Sequence, residues 1–136
     1  MITAMRTAPA SPTAPTPPER TERPWGWFET VTEAGGHKVK RIHVHAGQRL
    51  SLQKHAQRAE HWVVVRGQAR ITLGNPDGET WREFDLQPGQ HCDIAVGQVH
   101  RLAGVGNAPV EIIEVQFGAY LGEDDITRLQ DDFGRI

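Results

Sequence analysis

The chain has 136 residues, 38% of them hydrophobic and 24% charged, with a formal net charge of −2 from 15 basic and 17 acidic residues. That is one domain's worth of chain with ordinary globular composition, and its near-neutral balance gives no electrostatic case for nucleic acid or an anionic membrane as partner. The single cysteine, Cys92, cannot close an internal disulfide, which fits a reducing compartment and excludes a cysteine-based metal site.

No stretch approaches the roughly 20 apolar residues of a membrane span. The first 22 residues hold no apolar secretory core, so a cytoplasmic location is expected. Residues 1–22 are instead rich in Ala, Thr and Pro and read as an N-terminal tail. Residues 23–136 read as one domain. Within it, short runs of β-branched and aromatic residues are punctuated by Gly, Pro, Asn and Asp. His37–His45 is the first clear strand and ends at Gly47. His61–Val65 ends at Gly67, and Ala69–Leu73 ends at the turn GNPDG. Trp81–Leu86 precedes Pro88-Gly89. Asp93–Val96 ends at Gly97, His100–Ala103 at Gly104, and Val110–Phe117 is the longest run. Many short strands at near-regular spacing predict an all-β sandwich or barrel. The last stretch reads differently. Ile126, Leu129 and Phe133 recur at helical spacing behind the acidic run Glu123–Asp125, which predicts a short amphipathic C-terminal helix.

The informative segment is Gly47–Gly67. Gln53 and His55 share strand parity and so leave one face together. Glu60 follows after a short turn, and His100 lies on a distant strand. Two imidazoles, a carboxylate and an amide oxygen can hold one divalent cation and leave positions open for a substrate. A set of N and O donors without thiolate suits zinc first, with Mn, Fe, Co or Ni as alternatives.

The spacing Gly47-x5-Gln53-x-His55-x4-Glu60-x6-Gly67, followed by Gly89-x5-Ala95-x-Gly97-x2-His100-x3-Gly104, resembles the two cupin motifs. Gln53, Ala95 and Gly104 replace the His, Pro and Asn common there. The chain also carries Arg23-Pro-Trp-Gly26, Leu50-Ser-Leu-Gln53, Arg58-Ala-Glu-His-Trp62, His100-Arg-Leu102, Ile113-Glu-Val-Gln116 and Tyr120-Leu-Gly-Glu-Asp-Asp-Ile126 with Arg128. Together these resemble the type II mannose-6-phosphate isomerase cupin over residues 23–135. Lys54, Ala56 and Phe133 depart from its common pattern. The resemblance implies a double-stranded β-helix, or jelly-roll barrel. It implies an isomerase that interconverts mannose 6-phosphate and fructose 6-phosphate through an enediolate, here without the guanylyltransferase that accompanies it in many bacteria.

His43 and His45 lie outside the motif spacing and are expected to face solvent, as are His37 and His91. Lys40 shares parity with Ile42 and Val44, and Glu114 and Gln116 with Ile112, so all three point into the barrel if that face is the lumen. An isomerase needs acid/base groups, and Glu114, Lys40 and His61 are the candidates, in that order. Arg58, Arg101 and Lys54 are candidates for holding a phosphate, with Gln116 as a further substrate contact. A homodimer is expected, with the Trp-rich run RPWGWFE as its surface unless those rings cap the core. Two rival activities remain: a sugar- or nucleotide-sugar-binding cupin without catalysis, and a metal-dependent oxygenase.

Overall fold

The computed structural model describes residues 18–136, and these form eleven strands and no helix. One sheet has six strands in the order β1 (Arg20–Arg23), β2 (Gly26–Ala34), β3 (His37–Val44), β10 (Val110–Gly118), β5 (Arg58–Arg66) and β8 (His91–Ile94). The other has five, in the order β11 (Thr127–Gln130), β4 (Leu52–Lys54), β9 (His100–Gly104), β6 (Ala69–Gly74) and β7 (Trp81–Leu86). All pairings are antiparallel, and the two sheets face each other as an all-β sandwich of the jelly-roll type.

Strict alternation decides what faces inward. On β3 the inward residues are Lys38, Lys40, Ile42 and Val44; on β5 they are Arg58, Glu60, Trp62 and Val64. On β10 they are Val110, Ile112, Glu114 and Gln116. The same face of the same three strands is therefore apolar at one end and polar at the other. The apolar end joins Phe28, Leu50, Ile71, Leu73, Ile94 and Leu102 in the hydrophobic core. The polar end forms the wall of a cavity. Gly67 marks the turn after β5: its φ is +75°, and an added Cβ would lie 2.3 Å from the Pro109 carbonyl oxygen.

One expectation is overturned. The C-terminal segment is a strand: β11 pairs with β4, placing Thr127 opposite Lys54 and Arg128 opposite Gln53. The helical spacing of Ile126, Leu129 and Phe133 is outcompeted because a helix this short is marginal alone. The open edge of β4, by contrast, offers ladder partners. Side chains fasten the strand further. Arg49 makes a bidentate pair with Asp132, at 2.8 and 2.9 Å, and Arg101 reaches Gln130. The aromatic run takes the second of its two expected places. Trp25, Trp27 and Phe28 are buried within the chain itself, so RPWGWFE offers no exposed apolar dimer surface. Trp27 stacks on His43, whose Nδ1 meets a Glu111 oxygen at 3.1 Å, so His43 is largely covered. His37, His45 and His91 are exposed as expected. Strand pairing also starts at Arg20, ahead of the Arg23 boundary.

Candidate metal centre

Two strand rows and one turn build the centre. Gln53 on β4 lies directly opposite His100 on β9, and directly opposed residues share a face. His55 follows two residues later on that face. Its carbonyl accepts from the Gly97 amide at 2.8 Å, which ties the first motif to the second. In the other sheet, Lys40, Glu114 and Trp62 form one row across β3, β10 and β5. Lys38, Gln116 and Glu60 form the next.

His55, Glu60 and His100 converge at the floor, with one donor atom from each lying within 4.8 Å of the others. All three are almost fully buried. His55 Nδ1 donates to the Asp125 carbonyl at 2.7 Å, and His100 Nδ1 donates to the Gln98 carbonyl at 2.8 Å. A carbonyl only accepts, so both rings carry their proton on Nδ1 and present the Nε2 lone pair inward. Burial lowers the His100 pKa to about 4, which keeps that ring neutral. Each Nε2 then meets an oxygen of Glu60, at 3.1 Å from His55 and 3.7 Å from His100.

The result is two lone pairs facing a carboxylate, and His100 Nε2 has no hydrogen-bond partner among the described residues. Lone pairs converge in this way around a cation. With donors ~2.1 Å from a zinc ion, tetrahedral edges measure roughly 3.4 Å, close to the two contacts with Glu60. The residues present therefore fit a divalent ion. Burial acts to raise the Glu60 pKa, yet the carboxyl is held below the usual range, with the neighbouring Glu114 carboxyl among the groups that favour its charged form. Glu60 is further tied by Arg58 Nε at 3.0 Å and by Trp62 Nε1 at 2.9 Å.

Gln53 stands beside this group. Its Nε2 donates toward His55 Nε2 at 3.5 Å, and its Oε1 accepts from Ser51 Oγ at 2.7 Å. A serine hydroxyl both donates and accepts, so Ser51 satisfies the amide in either orientation, including the one that turns Oε1 toward the centre.

Above the floor, Lys40, Arg58, Gln53 and Glu114 line a cavity of about 90 Å³ that Glu123 and Arg128 also wall. Glu114 is buried between Trp62 Nε1 (3.0 Å) and Gln116 Nε2 (2.6 Å). Burial, then the neighbouring Glu60 charge, raises its pKa well above the carboxylate range, so it holds a proton at neutral pH. Gln116 is fully buried, and its Oε1 has no partner among the described residues. Lys40 pairs with Glu123 and sits 3.9 Å over the Phe28 ring. The acidic run is thus a clasp: Glu123 binds Lys40, and Asp125 accepts from the Ala56 and Gln57 amides at 2.8 and 2.9 Å.

Three sequence candidates lie elsewhere. His61 is on the opposite face of β5, paired with Asp93 and beside His91. Lys54 is exposed on the far side of β4. Arg101 alternates with His100 and points away from the lumen, where Nε donates to the Leu50 carbonyl at 2.9 Å. Sequence reasoning missed Ser51, Asp125 and Arg128 as parts of the site. All three lay in quoted motif runs, Ser51 in Leu50–Gln53 and Asp125 in Tyr120–Ile126 with Arg128 beyond it, but the helix reading turned the last two away from the site.

A jelly roll with a buried His–Glu–His donor group at its centre defines a cupin. The chain belongs to the mannose-6-phosphate isomerase C-terminal family, whose model matches residues 16–131. It is 50% identical over 113 residues to the alginate biosynthesis protein AlgA of Pseudomonas aeruginosa, covering 83% of this chain and 22% of that protein. It is 46% identical over 113 residues to the xanthan biosynthesis protein XanB of Xanthomonas campestris, covering 83% of this chain and 23% of that protein. The mannose-1-phosphate guanylyltransferase ManC of Salmonella typhimurium is 42% identical over 114 residues, covering 84% of this chain and 22% of that protein. The chain thus spans less than a quarter of the length of these curated relatives.

Among solved structures, the capsular polysaccharide assembling protein CapF of Staphylococcus aureus superposes with a TM-score of 0.75 at 17% identity, over 85% of this chain and 32% of that one. Oxalate decarboxylase of Bacillus subtilis gives 0.73 at 18% identity, over 82% of this chain and 30% of that one. At those identities the likeness is one of fold.

Proposed function

We propose that this domain is a metal-dependent aldose–ketose isomerase that interconverts mannose 6-phosphate and fructose 6-phosphate. The observation that carries the reading is the buried meeting of two imidazole lone pairs and a carboxylate directly below a wall of acid/base groups. His55, Glu60 and His100 hold the ion, with Gln53 Oε1 as a fourth donor after its amide turns. The bound divalent ion, zinc in the first instance, supplies Lewis-acid stabilisation of negative charge on the sugar oxygens.

The chain's own groups do the proton work. Isomerisation moves a proton between C2 and C1 and another between the two oxygens. Glu114 faces the cavity, and its raised pKa matches a group that takes and returns a proton near neutral pH. Lys40 lies in the same cross-strand row and donates to a developing oxyanion once Glu123 releases it. Gln116 Oε1, lacking a partner, is free to accept from a sugar hydroxyl. The cavity is smaller than the roughly 300 Å³ of ordinary ligand pockets, so Arg58 and Glu123 swing outward as the hexose enters.

A coupled assay of metal-loaded protein with mannose 6-phosphate tests this. Turnover that chelation abolishes and added metal restores is the expected result. A protein loaded in turn with several divalent metals that never turns over either sugar phosphate is no isomerase.

A further inference from the structure

We propose that Arg128, with Arg23 on the facing wall, is the seat of the substrate's phosphate, a role the sequence pattern had given to Arg58, Arg101 and Lys54. The assignment deepens the isomerase reading and rests on it for the identity of the sugar. It starts from partners. Of the five cations among the described residues that line the cavity, three have a carboxylate: Arg58 has Glu60, Lys40 has Glu123, and Arg135 has Asp131. Arg128 has no ion pair or hydrogen bond among the described residues, and its Nε is buried and unsatisfied. Among the described residues Arg23 has only the Glu22 carbonyl at 3.0 Å and the Phe28 ring. A buried donor left unpaired costs on the order of 1–3 kcal/mol, and such groups are seldom kept without a partner that arrives.

Position supports the same assignment. Arg128 is opposite Gln53 on β4, and Gln53 is opposite His100 on β9. The three therefore stand in one row on the lumen face. At about 4.8 Å per strand the row places Arg128 roughly 10 Å from His100, backbone to backbone. A hexose 6-phosphate laid along that row has its carbonyl end at the donor group and its phosphate under the guanidinium. The planar fork of arginine matches phosphate oxygens bidentately. Of the rest, Arg101 and Lys54 face away from the cavity, and Arg58 stands at the His55–Glu60 end of the site, where the sugar's carbonyl end lies, rather than at the Arg128 end.

The test separates this seat from the isomerase reading. Metal-loaded wild type, Arg128→Met and Arg128→Lys are titrated by calorimetry with fructose 6-phosphate, with fructose and with inorganic phosphate, and zinc affinity is measured in parallel. Arg128→Met is expected to weaken fructose 6-phosphate and inorganic phosphate binding roughly tenfold to a hundredfold, leaving zinc affinity unchanged. Arg128→Lys, which keeps the charge and loses the fork, falls between. Wild-type phosphate affinity in both variants overturns the seat, whatever the turnover. Phosphate binding that depends on Arg128 in a protein without turnover keeps the seat and overturns the isomerase. If Arg128→Met melts early because β11 detaches, the comparison is made on Arg128→Lys, where an affinity equal to wild type overturns the seat.

Discussion

Arg58 Nη2 stands 3.2 Å from His55 Nε2 and donates to the lone pair that a cation would use. The same guanidinium bonds Glu60 through Nε. In the ion-free state Arg58 therefore balances the Glu60 charge from the position an ion would take, and metal entry requires its departure. Arg58→Met removes the competitor and a positive charge beside a dication. The zinc dissociation constant, measured by chelator competition, is expected to fall roughly tenfold, the size of one charged hydrogen bond. Unchanged or weaker zinc binding would show that Arg58 does not compete.

Glu60→Gln should act in the opposite direction on two readouts. It removes the charged donor, so metal content after dialysis is expected to drop to background. It also leaves the Arg58 guanidinium buried without its partner, at a cost of about 3–5 kcal/mol. Denaturant unfolding of the metal-free variant measures that cost. A metal-free variant as stable as wild type contradicts the pairing.

The acid response of the metal-free protein has two windows. His100 has a folded pKa lowered to about 4, against ~6.5 unfolded. The unfolded chain binds the proton first, so the His100 contribution to stability is full above pH ~6.5 and is lost as pH drops toward 4. Asp131, held down to about 2 first by the Arg135 guanidinium, adds a loss that begins below pH ~4, its unfolded value. His100→Gln is expected to flatten the upper window only, and Asp131→Asn the lower only. Melting temperature as a function of pH checks both, and a single shared window refutes the assignment.

Glu114→Gln separates chemistry from metal binding. The amide keeps the size, accepts from Trp62 through its oxygen and donates to Gln116 Oε1 once that side chain turns, but cannot shuttle a proton. A loss of about 10²–10⁴ in kcat is expected at unchanged zinc content. Because burial disfavours the charged carboxylate, stability in wild type falls as pH rises from ~4.3 toward the raised folded value. The variant should lack that decline. A variant with wild-type kcat excludes Glu114 as the proton carrier.

The barrel was legible from sequence because strand alternation is a local property. Val110–Phe117 and His37–His45 show their inward and outward sets without reference to neighbours. The floor residues His55, Glu60 and His100 were legible because their spacing spans fixed turns. The C-terminal strand was not, because its conformation comes from the open edge of β4 and from Arg49 and Arg101. None of these is near it in sequence. Strand parity placed Lys40, Glu114 and Gln116 on the lumen face. The same alternation counted from His100, Gln53 and Glu60 turns Arg101, Lys54 and His61, each one residue away, to the opposite side, so their place was legible too.

The split of β3, β5 and β10 into an apolar half and a polar half has a consequence for how such a chain diversifies. Ile42, Val44, Trp62, Val64, Val110 and Ile112 hold the sheets together, while Lys40, Glu60, Glu114 and Gln116 occupy the next turns of the same alternation. Exchange of the second set leaves the first untouched. New chemistry can therefore be acquired by point substitution within an unchanged scaffold.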